Sequence, residues 1–165
     1  MSRRLSWVIV VATIALAMGA SVYVAERPLN TGPGPAISAF DRLLAAKLPD
    51  AAGKLQPIEQ WRGKVLVVNF WATWCPPCRE EMPILSRLQT KHASNGVQIV
   101  GIALDTADNV AQYAAIHPTS YPLLTGDANA TNLSRLLGNT QLALPYTVVF
   151  NRDGVTEMNR LGRFS

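Results

Sequence analysis

Val65-Leu66-Val67-Val68-Asn69-Phe70-Trp71-Ala72-Thr73-Trp74-Cys75-Pro76-Pro77-Cys78 decides the fold. Its first half is a short, β-branched apolar run, the pattern of a strand buried on both faces. Its second half holds the only two cysteines of the chain, three positions apart. Two thiols at that spacing meet when the backbone turns into a helix. Pro76 and Pro77 suit a first helical turn, where an N–H would have no partner in any case. The spacing therefore predicts Cys75 in that first turn, near the positive end of the helix dipole, where a thiolate is favoured. Cys78, one turn further on, can attack a mixed disulfide formed on Cys75. Nucleophile and resolving thiol are the minimum for thiol–disulfide exchange.

Beyond the cysteines, Met82, Leu85 and Leu88 fall at helical spacing, with Ile84 beside them. Pro83 is expected to kink this helix, and Gly96 to end it. Val97–Leu104 is a second apolar strand. Residues 105–116 and 127–137 have helical patterning; Leu133, Leu136 and Leu137 share one face of the latter, and Gly138 closes it. Residues 146–151 and 155–161 flank Asp153-Gly154 and predict an antiparallel pair. Ahead of the first core strand, turn signals at residues 49–53 and 62–64 predict a short hairpin and a connection. Parallel strands joined by a helix, then a hairpin, make an α/β fold with a mixed central sheet flanked by helices.

At the two ends of this frame the chain resembles a known family. Asn69-Phe70-Trp71-Ala72-Thr73-Trp74-Cys75-Pro76-Pro77-Cys78-Arg79-Glu80-Glu81-Met82-Pro83 is similar to the active-site segment of membrane-anchored thioredoxin-like reductases of the TlpA/ResA type. Leu144-Pro145-Tyr146-Thr147-Val148-Val149-Phe150 is similar to their Pro-led strand, and Asn151-Arg152-Asp153-Gly154 to their hairpin turn. The resemblance covers about residues 40–164. It implies a thioredoxin-like fold in which residues 105–143 are a central insertion. Such a fold normally continues from a glycine like Gly162 into a final helix; the chain stops at Ser165, so that helix is expected to be missing by truncation.

The resemblance also assigns roles. Cys75 is the exposed nucleophile and Cys78 the buried resolving thiol. Trp74, Pro76 and Pro77 form a substrate-binding rim. Trp74 offers a flat apolar face, whereas Trp71 points into the core. Pro145 is a candidate cis proline, which lets the Leu144 backbone pair with an incoming chain as a short added strand. Thioredoxins carry a buried Asp six residues before the first Cys, and Asn69 stands there instead. Asn cannot take a proton from Cys78, so Glu81 becomes the candidate carboxylate. A Glu near the sulfurs raises a thiol pKa by like-charge repulsion. The competing expectation for Glu81 is a solvated helix-face residue; Glu80 is expected to be exposed.

Redox direction follows from what the site lacks. Prolines at 76 and 77 withhold two N–H donors from a Cys75 thiolate, and no His lies between the cysteines. Strong oxidants are strong because their reduced form is stabilised. On a scale running from thioredoxin at about −270 mV to DsbA at about −120 mV, the reducing end is expected. No cofactor beyond the Cys75–Cys78 disulfide is implied. The implied partners are disulfide-bearing proteins, in cytochrome c maturation or copper-site assembly, and a membrane electron donor of the DsbD/CcdA kind. An oxidase or isomerase on the same fold, and a copper carrier using both thiols, are the alternatives.

Zinc is a poor fit. The chain has two His, but His92 lies 14 residues after Cys78 and His117 a further 25 away, not the handful usual in zinc sites. Both are expected at the surface. A purely structural disulfide gains little from so short a loop.

Composition places the domain. Arg3 and Arg4 precede Leu5–Ala25, 21 residues without a charge, ended by Glu26-Arg27-Pro28. At 1.5 Å per residue this stretch spans a bilayer core of about 30 Å, and the arginines keep the N-terminus in the cytoplasm. Residues 1–25 are therefore expected to be an uncleaved signal anchor, in preference to a cleaved signal peptide. Residues 26–38, with three prolines and two glycines, are a linker, and residues 39–165 the thioredoxin-like domain. The domain then lies on the extracytoplasmic or periplasmic face of the inner membrane. The formal charge of +4 falls to +2 without Arg3 and Arg4, with 13 basic and 11 acidic side chains remaining. That balance is too even for a nucleic-acid footprint.

Overall fold

The structure, a computed structural model, describes residues 37–164. The expected anchor and all but the last two residues of the linker lie outside the described residues. Among the described residues no helix is long and apolar enough to cross a membrane.

Helix α1 (Ala39–Leu44) starts at Ser38, whose hydroxyl accepts the Asp41 N–H as an N-cap. A two-stranded antiparallel sheet, β1 (Lys47–Pro49) with β2 (Leu55–Pro57), follows, and a 3-10 turn over Ile58–Trp61 leads to the main sheet. The hairpin was legible in the turn residues; α1 and the 3-10 turn were not.

The main sheet comprises β3 (Val65–Trp71), β4 (Val97–Ala103), β5 (Leu123–Thr125), β6 (Tyr146–Phe150) and β7 (Thr156–Leu161), in the order β5-β4-β3-β6-β7. β3, β4 and β5 run parallel; β6 and β7 are antiparallel additions. This is the thioredoxin-like mixed sheet.

Strand alternation divides β3 between two cores. Leu66, Val68 and Phe70 face a core shared with α1 and with Leu133 and Leu137. Val67 and Trp71 face the other, with Cys75, Cys78, Met82 and Leu85. Helix α2 (Pro76–His92) covers that second face and runs unbroken through Pro83. Helix α3 (Ala107–Ile116) joins it through Val110, and α4 (Asp127–Leu136) supplies Leu133 to the first face.

Two positions depart from the helical pattern. Leu88 is 40% exposed, and Gln89 is buried in its stead. The edge of β4 beyond the reach of β5 leaves backbone groups without a strand partner. Gln89 takes them, accepting the Ile99 N–H at 2.6 Å and donating to the Val97 carbonyl at 3.3 Å. Leu136 is likewise exposed at 37%, while Leu133 and Leu137 are buried.

The Asp153-Gly154 turn joins β6 to β7 as expected. Gly154 has φ +81°, and a Cβ there would lie 2.2 Å from Cδ1 of Phe40, whose ring packs on Phe150 at 5.0 Å. Gly154→Ala is therefore expected to cost about 2–4 kcal/mol, from the left-handed backbone and the overpacked ring together. The midpoint of urea unfolding checks this; an unchanged midpoint contradicts it.

Candidate active site

Cys75 is the N-cap of α2 and Pro76 and Pro77 are its first two residues, so the first cysteine precedes the first turn instead of lying in it. The reason is local. Cys75 keeps an extended backbone, φ −95° and ψ 102°, and its N–H bonds back to the Ala72 carbonyl at 3.2 Å. Cys75 and Cys78 form a disulfide, with Cα atoms 5.3 Å apart.

The expectation of an exposed Cys75 is not met in this disulfide form. Cys75 is 4% exposed and Cys78 fully buried. Cys75 is bonded to the buried Cys78, and Leu144 packs against the apolar cluster that holds both cysteines. Exposure at the site belongs to the neighbours. Trp74 is 66% exposed and Pro76 is exposed, while Pro77 is half-buried. Trp71 is buried.

The peptide between Leu144 and Pro145 is cis. The loop before it is pinned by Asn139, whose Nδ2 donates to the Ala143 carbonyl and whose Oδ1 accepts the Ala143 N–H, both at 3.0 Å. Tyr146 Oη donates to the Leu137 carbonyl at 3.0 Å, fixing the strand on the far side of Pro145. The turn that follows α4 thus positions Leu144 and Pro145 through Leu137 and Asn139, a function that helical patterning does not reveal.

Glu81 is not a solvated helix-face residue; it is fully buried. One turn beyond Cys78, its Oε1 accepts from Asn69 Nδ2 at 2.8 Å and its Oε2 from the Phe164 N–H at 3.0 Å. Asn69 Nδ2 also donates to Thr147 Oγ1 at 3.0 Å. This explains why Asn stands at position 69. A carboxylate there would face Glu81 as a like charge, whereas the amide supplies the donor that a buried carboxyl needs. Burial pushes the Glu81 carboxyl above its ordinary pKa. The bonds from Phe164 and Asn69, and the charges of Arg160 and Arg163, offset part of that rise. Arg160 stands over the Phe164 ring at 5.0 Å, and Arg163 bridges the exposed Glu80 at 3.4 Å. The segment after β7 therefore closes over the carboxyl and ties down α2.

Asp105, two residues past the end of β4, holds the loop before the cysteines. Its Oδ2 accepts both the N–H of Thr73 at 3.0 Å and the Thr73 hydroxyl at 2.5 Å. Its Oδ1 accepts the Thr106 N–H and Asn109 Nδ2, each at 2.8 Å. Burial would raise the Asp105 pKa, and these hydrogen bonds outweigh it, holding the carboxyl below its ordinary value. A depressed carboxyl stabilises the fold above its unfolded pKa and loses that contribution as pH falls through the folded value. Asp105→Ala is expected to strand the Thr73 N–H at a cost of about 1–3 kcal/mol at pH 7. The deficit should shrink in acid, below about pH 4. Unfolding curves at the two pH values check it; an equal deficit at both contradicts the ionised contact.

Of the residues expected at the site, Cys75, Cys78, Trp74, Pro76, Pro77, Glu81, Leu144 and Pro145 lie at the α2 N-terminus and on the segments packed beside it. Asn69 was legible through its position before the first cysteine. Thr147, Asp105, Asn139 and Phe164 were not, because each acts through hydrogen bonds that no sequence spacing marks. His92 is half-buried, His117 exposed.

Known proteins resemble this chain in sequence and fold. Thiol-disulfide oxidoreductase ResA of Bacillus thuringiensis subsp. konkukian (strain 97-27) is 39% identical over 59 residues, which is 36% of this chain and 34% of that protein. The chain thus aligns with about a third of the length of that ResA. Thioredoxin-like protein YneN of Bacillus subtilis (strain 168) is 28% identical over 119 residues, 70% of this chain and 66% of that one. A thioredoxin-related protein from Neisseria meningitidis serogroup B superposes with a TM-score of 0.61 at 37% identity, covering 68% of this chain and 84% of that one. A putative thiol:disulfide interchange protein DsbE from Chlorobium tepidum gives a TM-score of 0.65 at 25% identity, covering 72% and 82%. The Redoxin family matches residues 34–162, nearly all that the structure describes, and the chain belongs to that family.

Proposed function

We propose that this protein is an exported thiol:disulfide oxidoreductase that reduces disulfides in protein substrates. The observation that carries the reading is the Cys75–Cys78 disulfide at the start of α2, with two prolines in the first turn and a buried carboxyl one turn beyond. The names of the ResA and DsbE relatives support the reaction class.

The cycle starts from the dithiol. The Cys75 thiolate attacks one sulfur of a substrate disulfide, forming a mixed disulfide, and the leaving substrate thiolate takes a proton. Cys78 then gives up its proton and attacks the Cys75 sulfur. The second substrate sulfur leaves as a thiol, and the Cys75–Cys78 disulfide is restored. Two electrons pass from enzyme to substrate. Glu81, with its raised pKa, is the proton acceptor for Cys78. A dithiol donor in the membrane, of the DsbD/CcdA kind, restores the reduced form. Trp74 and Pro76 form the rim a substrate meets, and the Leu144 backbone pairs with its chain. Candidate substrates are disulfides of apocytochrome c or of copper-site assembly proteins.

A direction assay tests the proposal. With dithiothreitol as electron source, the full chain is expected to accelerate reduction of insulin disulfides and to leave the oxidation of reduced ribonuclease A near its uncatalysed rate. The opposite pattern would make it an oxidase. Stoichiometric Cu(I) binding with no turnover in either assay would favour the copper carrier.

A further inference from the structure

Beside the disulfide, an open cleft of about 660 Å³ runs between α2 and the segment Tyr113–Thr119. Pro76 lines its near end. Ser86 and Pro118 line its far end and also line a second cleft of about 440 Å³, which continues along α2 past Arg87 and Lys91. The two walls are tied where the clefts meet. The Ser120 hydroxyl donates to the Ser86 carbonyl at 2.7 Å, and the Ser120 N–H to Ser86 Oγ at 3.3 Å. The outer wall is anchored to the core by tilted ring contacts of His117 with Tyr113, centroids 4.6 Å apart, and of Tyr113 with Trp71, 5.2 Å apart. Trp71 is the last residue of β3, four residues before Cys75.

The lining has a definite chemistry. Pro76, Pro83, Ile116 and Pro118 give it an apolar surface, with Ile116 73% exposed. Arg79, Arg87 and Lys91 face it from α2 and form no ion pair among the described residues. Its one carboxylate, Glu80, is already bridged to Arg163. His117 is the only titratable group besides Tyr113 on the opposite wall. From Pro76 to Lys91 the groove follows about 22 Å of helix, the length of about six or seven extended residues.

We infer that this groove docks an extended segment of the disulfide-bearing partner, apolar near Ile116 and acidic toward Arg79, Arg87 and Lys91. The groove begins at Pro76, the residue that follows Cys75, so a chain whose cysteine reaches Cys75 has the groove next to it. Charge complementarity would act chiefly on encounter and on choice of partner. The inference rests on the exchange reading for what the partner carries, but binding can be measured without exchange.

The test uses the full chain in its disulfide form and fluorescently labelled seven-residue peptides without cysteine. One alternates leucine with glutamate; in the second lysine replaces glutamate; in the third serine replaces leucine. At low salt the leucine–glutamate peptide is expected to bind at least about tenfold more tightly than either other peptide, with most of the difference from the lysine peptide lost in high salt. The double variant Arg87→Glu, Lys91→Glu lies on exposed helix surface. It is expected to reverse the preference between the glutamate and lysine peptides while reducing hydroxyethyl disulfide at the unaltered rate. Equal binding of all three peptides overturns the inference, as does an unchanged preference in the double variant. Polyphosphate competing away the peptide while the serine peptide binds equally well would show a bare polyanion surface and overturns it too. Loss of hydroxyethyl disulfide reduction in the unaltered protein would instead count against the exchange reading, whatever the peptides do.

Discussion

Cys78→Ser is expected to halt the protein at a covalent adduct. Cys75 can still attack a substrate disulfide, but the second thiolate that would release the product is gone, and a serine hydroxyl does not replace it. Mixed with an excess of a disulfide peptide, the variant should gain the mass of one peptide half. Dithiothreitol should remove it. Multiple turnover should drop to background. Cys75→Ser should give no adduct and no turnover, because Cys78 lies inside α2 with no exposed surface, whereas Cys75 sits at the helix start between the exposed Trp74 and Pro76. Intact-protein mass spectrometry separates the outcomes. An adduct on Cys75→Ser but not on Cys78→Ser would exchange the roles of the two cysteines. Equal adducts on both would remove the distinction between nucleophile and resolving thiol.

The second large effect is expected at Glu81. Its two oxygens accept from Asn69 and from the Phe164 N–H. Glu81→Gln keeps the shape but turns one acceptor into a donor, leaving an N–H facing an N–H at a cost of about 1–3 kcal/mol. Against this, the variant removes a carboxyl that burial makes hard to ionise. A raised carboxyl contributes stability that is fully present below its unfolded pKa and is lost as pH rises through the folded value. The variant should therefore gain on the unaltered protein as pH rises from about 4 toward neutrality. Chemistry should suffer more than stability. Release of the mixed disulfide by Cys78 is expected to slow by about 10²-fold or more and to lose its dependence on the Glu81 ionisation, while the first attack by Cys75 is nearly unchanged. Rapid-quench measurement of the two half-reactions across pH checks this. A mixed disulfide that resolves at the same rate, with the same pH profile, would leave Glu81 a structural residue.

These two sites differ in how far the sequence disclosed them. The cysteine pair, the strand before it and the Pro-led strand were legible because each rests on a local rule: β-branched runs for buried strands, proline in a first helical turn, Asp-Gly in a hairpin. The loss of Asp at position 69 pointed to a substitute carboxyl, but not to the reason Asn stands there. That reason is a hydrogen bond to Glu81 from twelve residues away, visible only when β3 and α2 pack together. Gln89 displaced Leu88 from the buried face for a similar cause, because unpaired backbone groups on β4 took priority over one more apolar contact. β5 escaped notice at three residues, too short for a period to show. The burial of Cys75 was not legible because it involves packing against Leu144, which is distant in sequence.

Direction is the centre of the account, and the reduction potential of the Cys75–Cys78 couple tests it most directly. The full chain would be equilibrated in dithiothreitol and glutathione buffers, trapped with a maleimide, and read by mass. One two-electron transition is expected, near or below that of thioredoxin at about −270 mV. A value near that of DsbA, about −120 mV, would contradict it and make the protein an oxidant.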